Sequence, residues 1–476
     1  MAIVKKIAYN TIISVIARFV STALALVIVG YLTRYLGQTG FGQYSTILAF
    51  LFIFTVLADL GLYSICVRSI SRSGADEAKI VSNAFTLRFF AGLFVFIIAP
   101  LAAYFFPYSS ETKLGILIGA AGFWLLSNNQ VLMGVFQKYL RLDKVGLAEV
   151  LSRFVQLGLV IFFVRQDFGF LFIVSALTAG AAVNFFLILF FVQKHISVRL
   201  QFDFSFWLEL LRQSLPLGLA AILTMIYFKL DTIMLSLMKT QAEVGIYGLA
   251  YKILESLIFF PAMFVGLVMP LMSKYAFLNK EEFKKIVQKT LDVLLILIIP
   301  LIVGTFFLSS KIIVLIGGRD FIPSSGVLNI LILATGIIFL GALFSNMLIS
   351  LERQKTLVYI YGAGTLVNVL LNFVFIPKYS YYGAAATTVF TELLVTVLML
   401  WVLRRAIKEL PSFGLFYKCL FAALIMALLL YFSSGWNLLI SVVLAALIYF
   451  SALYLIGGLP IREFAQIYQK SPKSNV

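Results

Sequence analysis

The chain has 476 residues, of which 62% are hydrophobic and 12% charged, with a formal net charge of +17 and a mean hydropathy of +1.05. A soluble domain is about 45–50% apolar and about 25% charged, so too little polar surface is present to coat a globule in water. Soluble enzymes and nucleic-acid-binding modules are thereby excluded, and the composition, with 47 phenylalanines, points to an all-α polytopic membrane protein.

A membrane-crossing helix needs ~20 apolar residues to span a hydrocarbon core of ~30 Å. In chain order, spans are predicted at 11–33, 42–67, 84–106, 114–134, 146–164, 169–192 and 214–238. They continue at 245–271, 290–309, 325–350, 357–376, 382–403, 415–433 and 436–456. The connections are short, and none is long enough for a soluble domain. No small-residue cleavage site follows a short apolar core at the N-terminus, so the first segment is expected to remain a membrane helix.

Lysine and arginine in alternate loops set the orientation. The set that includes both termini carries 25 basic residues. The opposite set carries 7: Arg34, Lys113, Arg165, Lys239, Lys311, Arg319 and Lys378. Both termini are therefore expected on the cytoplasmic side of a cytoplasmic (inner) membrane. The net charge then reads as loop charge facing anionic lipid headgroups, with no nucleic-acid partner implied.

Five basic residues remain inside the spans: Arg18, Arg88, Arg153, Lys229 and Lys252. Each costs about 2.5–3.5 kcal/mol at the bilayer centre even on lenient scales. Arg18 lies on a stripe of Asn10, Ser14, Ser21, Thr22 and Ala25 spaced by three and four, one polar or small face of a helix. Close packing would favour small residues without an arginine, so the stripe is expected to line a watery cavity. Asp59 falls at a similar depth on the next helix and is an alternative partner for Arg18. Arg88 is near enough to the interface to snorkel. Glu149 and Arg153, four apart, can form an internal pair.

In the seventh and eighth spans, Lys229, Asp231, Lys252 and Glu255 fall at nearly one depth of an antiparallel hairpin and can neutralise one another. The cluster is equally readable as structural or as facing substrate. Thr365, Asn368 and Asn372 form a fainter polar stripe in the eleventh span. Glu392, with Thr388 and Thr396 on its face, can carry a proton, coordinate a cation or bond neighbouring helices.

The chain also repeats itself. "FGQYSTILAF" matches "VGIYGLAYKI", with Gly42 and Tyr44 falling on Gly245 and Tyr247. "LSRFVQLGLVIF" in the fifth span resembles "LVNVLLNFVFI" in the eleventh. The unit is six helices, an even number, so the halves share one orientation and form a parallel repeat. His195 is the one histidine, and Cys66 and Cys419 fit no zinc or redox spacing, so neither a metal site nor a cofactor is expected. "GGRDF" lacks the lysine and strand of a phosphate loop.

Four segments carry a family resemblance: "LGQTGFGQYSTILAFLFIFTVLADLGL", "DTIMLSLMKTQAEVGIYGLAYKI", "IGGRDFIPSSGVLNIL" and "NFVFIPKYSYYGAAATTVFTELL". They resemble the polysaccharide transporter family, the Wzx-type flippases of the multidrug/oligosaccharidyl-lipid/polysaccharide exporter superfamily. One departure is Ser380, where the family often has glycine; it is expected to alter only a turn.

The resemblance implies no enzyme. It implies a flippase that moves an undecaprenyl-diphosphate-linked oligosaccharide to the outer leaflet for surface polysaccharide synthesis. It further implies two six-helix lobes, 1–200 and 201–410, around a central cationic cavity, with two additional helices in 411–476. Expected partners are the lipid-linked substrate, membrane lipids, and the polymerase and chain-length machinery of the same pathway. Arg18, Arg88, Arg153, Lys229 and Lys252 are the candidate substrate-binding residues. Asp59, Asp231, Glu255 and Glu392 are candidates for charge compensation or coupling. A cation-coupled multidrug exporter of the same superfamily, or a membrane polymerase or ligase, is the alternative. The exporter would have a carboxylate-lined cavity, and the polymerase a large outward loop that this chain lacks.

Loop charge makes the topology testable. Cysteines placed near Lys5, Lys280 and Ser471 should resist a membrane-impermeant thiol reagent in intact cells, while one near Lys378 should react. Labelling of the Lys280 loop from outside would overturn the arrangement.

Overall fold

The computed structural model describes residues 2–59, 61–72, 74–407, 410–433 and 435–459, with their side chains except those of 2–9, 11–12, 64 and 215–227. Thirteen α-helices account for nearly all of them: α1 (Ala2–Asp59), α2 (Leu62–Ile70), α3 (Glu77–Tyr104), α4 (Ser110–Lys138), α5 (Leu142–Arg165), α6 (Phe170–Gln193) and α7 (Phe204–Met238). They continue as α8 (Gln241–Leu278), α9 (Lys280–Gly317), α10 (Pro323–Ser350), α11 (Gln354–Ala406), α12 (Gly414–Phe432) and α13 (Leu438–Leu455). No strand occurs among the described residues.

Eleven of the helices are long and apolar enough to cross a membrane among the residues described. Two of these are double. α1 breaks at Gly37 (φ 64°) and α11 at Ser380 (φ 52°), so each crosses twice. With the 35-residue α7, the sequence's fourteen spans are accounted for, and the protein is a multi-pass, all-helical membrane protein.

Two local features differ from, or explain, the expectation. The second span, expected to be continuous over 42–67, is interrupted: α1 stops at Asp59 and α2 restarts at Leu62, because Gly61 takes a left-handed conformation (φ 74°). At Ser380 the positive φ is one that glycine adopts without strain and serine does not. The serine is retained with its Oγ donating to Glu243 Oε1 at 2.6 Å.

The chain packs as two compact units. The first comprises Met1–Ile253, Ile313–Val327 and Tyr361–Thr391. Its helices approach closely through glycine, as expected where lipid supplies no hydrophobic drive and packing must hold helices together. A Cβ at Gly115 would lie 2.4 Å from Ile47, at Gly122 2.9 Å from the Thr178 backbone, and at Gly146 2.6 Å from Ala17. Leu62, Cys66, Val81, Phe85, Val131, Phe136 and Ile188 form a dense core where α2, α3, α4 and α6 meet. Large apolar side chains such as Phe94, Leu101 and Phe186 lie outward, exposed to lipid. Just outside α7, Asp203 accepts from the Phe206 amide and pairs with Lys79. The amide first and the ammonium second hold its carboxyl below the ordinary carboxylate range.

The second unit comprises Leu254–Ile312, Leu328–Ile360 and Glu392–Val476. Here the last two helices attach to α9. Tyr449 donates to the Ile296 carbonyl at 3.0 Å, and Lys311 to the Trp436 carbonyl at 2.7 Å.

The internal repeat becomes a contact inside the first unit. A Cβ on Gly42 would lie 1.7 Å from the Gln241 carbonyl oxygen, and one on Gly245 would lie 2.1 Å from that of Gln38. Each glycine thus meets the carbonyl four residues before its repeat mate, a reciprocal crossing of α1 and α8. Nearby, Arg34 donates to the carbonyls of Ile316 (2.5 Å) and Leu315 (2.6 Å), placing a cation on the exposed C-terminal carbonyls of α9. Gln38 donates to the Asp320 carbonyl at 2.5 Å.

Overpacking of this crossing should cost about 1–3 kcal/mol. Gly42→Ala and Gly245→Ala should each lower the thermal midpoint of the detergent-solubilised protein. Gly158→Ala, with no heavy atom within 4 Å of the added Cβ, should leave the midpoint unchanged. Equal midpoints for all three would show that the crossing is not a tight contact.

Candidate functional site

A cleft of about 310 Å³ opens in the first unit, walled by α1, α4, α5 and α6. The Ala17–Gly146 approach brings α1 against α5, and the two functional side chains stand beside it. Arg18 Nη1 donates to Glu149 Oε1 at 2.8 Å, and Ser21 Oγ donates to the same oxygen at 2.9 Å. The partner of Arg18 is therefore Glu149 on the fifth helix; the expected alternative, Asp59, is engaged elsewhere. Glu149 likewise bridges helices rather than pairing within its own. Its neighbour Arg153 donates instead to Gln156 Oε1 at 2.9 Å.

The remaining wall is polar and uncharged: Asn129, Gln130, Ser152, Gln156 and Asn184 line it. Asn129 donates to Asn184 Oδ1 at 2.6 Å. Among the described residues that line the cleft, two arginines stand against one glutamate, an excess of one positive charge. Of the Arg18 stripe, Arg18 itself lines the cleft, and Ser21 is buried beside it against Glu149.

Arg88 does not reach the interface. It is completely buried and pairs with Asp59, while its Nη2 donates to Gln130 Oε1 at 3.2 Å. Snorkelling fails because α3 is enclosed on every side at this level: Val81 to Arg88, more than two turns, are all buried. Gln130 is also a cleft residue, so the Arg88–Asp59 pair stands directly behind the wall.

Asp231 is also buried, and its compensation is neutral. Its oxygens accept from Asn372 Nδ2 (2.6 Å), Thr388 Oγ1 (2.6 Å) and the Tyr247 hydroxyl (3.3 Å). Asn372 donates as well to Asn368 Oδ1 at 3.0 Å, and its own buried Oδ1 accepts no hydrogen bond among the described residues. Mutual neutralisation of Lys229 and Asp231 is thereby corrected. Two residues apart on a helix they diverge by about 200°, and Asp231 faces the polar stripe of α11. Lys229 places its ammonium 5.5 Å from the Phe52 ring centroid and 5.0 Å from that of Tyr251, a cation–π arrangement.

Lys252 is half-buried in the first unit; Glu255, half-buried, and Glu392, buried, belong to the second. The amide side chains of the cleft, Asn129, Gln130, Gln156 and Asn184, escaped the sequence reading. Their spacing on α4, 129 and 130 beside the buried Asn128, was the available signal.

Such a fold, with paired charges inside spans and an accessible cleft of positive excess, defines a membrane transporter. Residues 7–276 match the family described as "Polysaccharide biosynthesis protein", and residues 216–374 match the family described as "MatE". The chain is 21% identical to the "Putative O-antigen transporter" of Shigella flexneri over 85% of this chain and 98% of that one. It is 22% identical to the "Probable low-salt glycan biosynthesis flippase Agl15" of Haloferax volcanii over 90% and 89%. Among solved structures, the lipid II flippase MurJ in an inward closed conformation superposes with a TM-score of 0.78 at 18% identity, covering 94% of this chain and 98% of that one. An inward-facing multidrug resistance MATE family transporter superposes at 0.67 and 16% identity, covering 83% and 98%. The chain belongs to the polysaccharide biosynthesis protein family.

Breaking a buried ion pair leaves an uncompensated charge, a loss of about 3–5 kcal/mol. Arg88→Met should sharply lower folded yield, and Asp59→Asn added to it should restore much of the loss. Additive losses in the double variant would show that the two side chains are not coupled.

Proposed function

We propose that this protein is a flippase carrying an undecaprenyl-diphosphate-linked oligosaccharide from the cytoplasmic to the outer leaflet of the cytoplasmic membrane, before assembly into surface polysaccharide. The observation that carries the reading is the Arg18 cleft: an arginine with half its side chain accessible, in a polar pocket of positive excess, inside a membrane helix. A diphosphate crossing hydrocarbon loses its hydration, and a planar guanidinium that stays protonated replaces it with paired hydrogen bonds. Membership of the family and the names of the relatives support the same reading.

In it, Arg18 and Arg153 contact the headgroup, Lys229 and Lys252 receive it along the path, and Arg88 holds Gln130 in place from behind the wall. The six-helix lobes 1–200 and 201–410 move during transport, with 411–476 appended and both termini cytoplasmic. The polymerase and chain-length machinery of the pathway act downstream. Asp231 is the coupling group. Its buried carboxylate can take up a proton, and turning the Thr388 and Tyr247 hydroxyls and the Asn372 amide that now donate to it would present their oxygens to a hard cation. Glu255 and Glu392 serve the same coupling from the other unit, and Asp59 compensates Arg88.

The match to the "MatE" family favours a second reading, a cation-coupled multidrug exporter. Against it stands the charge of the cleft, which repels an organic cation.

In the native host, Arg18→Ala should accumulate lipid-linked repeat units as a deletion does, at normal expression, because the Glu149 it leaves unpaired keeps Ser21 as a donor and is partly accessible. Arg18→Lys should keep part of the activity and Arg18→Glu none. Normal surface polysaccharide from correctly expressed Arg18→Ala would refute the role.

A further inference from the structure

Two ion pairs stand at the cleft, and they are built differently. Arg88–Asp59 has a guanidinium with no accessible surface; nothing entering from the cleft can reach it. Arg18–Glu149 has 50% and 27% of its side chains accessible. The accessible pair is also the one whose geometry is imposed from outside. The Ala17–Gly146 approach fixes the helices, so Arg18 and Glu149 face one another however their side chains are engaged.

Glu149 occupies the place of a ligand. Its Oε1 collects Arg18 Nη1 and Ser21 Oγ, two donors from α1 converging on one anionic oxygen. An entering phosphate oxygen needs the same donor set. Arg153, four residues on and the natural intrahelical partner of Glu149, donates to Gln156 instead and lines the same cleft. An anion arriving at Arg18 would thus find a second cation in the cleft and Glu149 in its way.

We infer that Glu149 is the resident counter-anion of the cleft, which an anionic diphosphate headgroup must displace from Arg18 and Ser21 and which reclaims them on release. The inference rests on the headgroup reading above and adds to it a residue that sets affinity by competition. Without such a competitor, a guanidinium in a low-dielectric pocket would hold its diphosphate too tightly to let it go. With one, each binding event exchanges one ion pair for another, and the arginine is compensated throughout. The charged groups around Glu149 are Arg18 on α1 and Arg153 on its own helix; the facing cleft residues of α4 and α6 are neutral.

The test uses full-length protein in lipid nanodiscs, titrated calorimetrically with inorganic pyrophosphate. Glu149→Gln, which removes the competing charge at constant shape, should bind about tenfold more tightly than the wild type. Glu149→Ala, which removes the same charge together with the side-chain oxygens, should also bind more tightly than the wild type. Arg18→Ala should bind more weakly. Wild-type binding that Glu149→Gln leaves unchanged or weakens would overturn the inference while leaving the headgroup reading intact, because Glu149 would then position Arg18 rather than compete for it. Absence of pyrophosphate binding by the wild type and all three variants would reject the headgroup reading itself. If Glu149→Gln does not fold, Glu149→Ala decides: affinity equal to or below that of the wild type overturns the inference.

Discussion

An ionised side chain among membrane helices must bring its compensation with it, because the surrounding hydrocarbon offers none. This protein meets that constraint in three ways within one unit. Arg88 and Asp59 form a closed pair whose cation has lost all contact with solvent. Asp231 is held by neutral donors alone, two hydroxyls and a carboxamide. Arg18 and Glu149 form an open pair at the edge of a polar cleft. The closed pair stands behind the cleft wall, the neutral cage holds a carboxylate without a cation, and the open pair leaves both of its partners partly accessible.

Helix packing makes this division possible. Glycine and alanine at the α1–α5 and α1–α8 contacts bring backbones so close that functional side chains are placed by the helices and not by their own flexibility. The reciprocal approach of Gly42 and Gly245 lies within that framework. Its symmetry follows from the parallel repeat, since equivalent helices carrying equivalent small residues meet about a local two-fold. Arg34, on the same helix as Arg18, spends its charge on the α9 carbonyls. Two arginines sixteen residues apart thus have unrelated tasks, one binding backbone and one facing the cleft.

Much of this was readable from the amino-acid order, and the failures share one cause. Hydropathy and loop charge carried the spans, because both act along the chain and each segment reports its own depth. The stripe around Arg18 and the one at Asn368 and Asn372 were visible as periodicity, and each turned out to face a polar partner. What depth cannot supply is azimuth. Arg18 and Asp59 lie at one level, yet Glu149 is the neighbour; Lys229 and Asp231, two apart, were readable as facing different ways, but not which neighbours Asp231 would meet. Arg88 read as an interfacial residue because sequence depth does not show that α3 is enclosed on every side at that level. The break at Gly61 was missed because a left-handed glycine leaves no mark in a hydrophobic run. The amides of the cleft wall were missed because the run of Asn128, Asn129 and Gln130 signals a polar stretch without telling a cavity lining from interhelical glue.

The exchange of partners at Arg18 can be observed in a structure of the protein with a polyprenyl-diphosphate-linked sugar bound in a lipid nanodisc. The expected result is a phosphate oxygen within hydrogen-bond reach of the Arg18 guanidinium and Ser21, with the Glu149 carboxylate withdrawn. A headgroup bound elsewhere, with the Arg18–Glu149 pair intact, would contradict it.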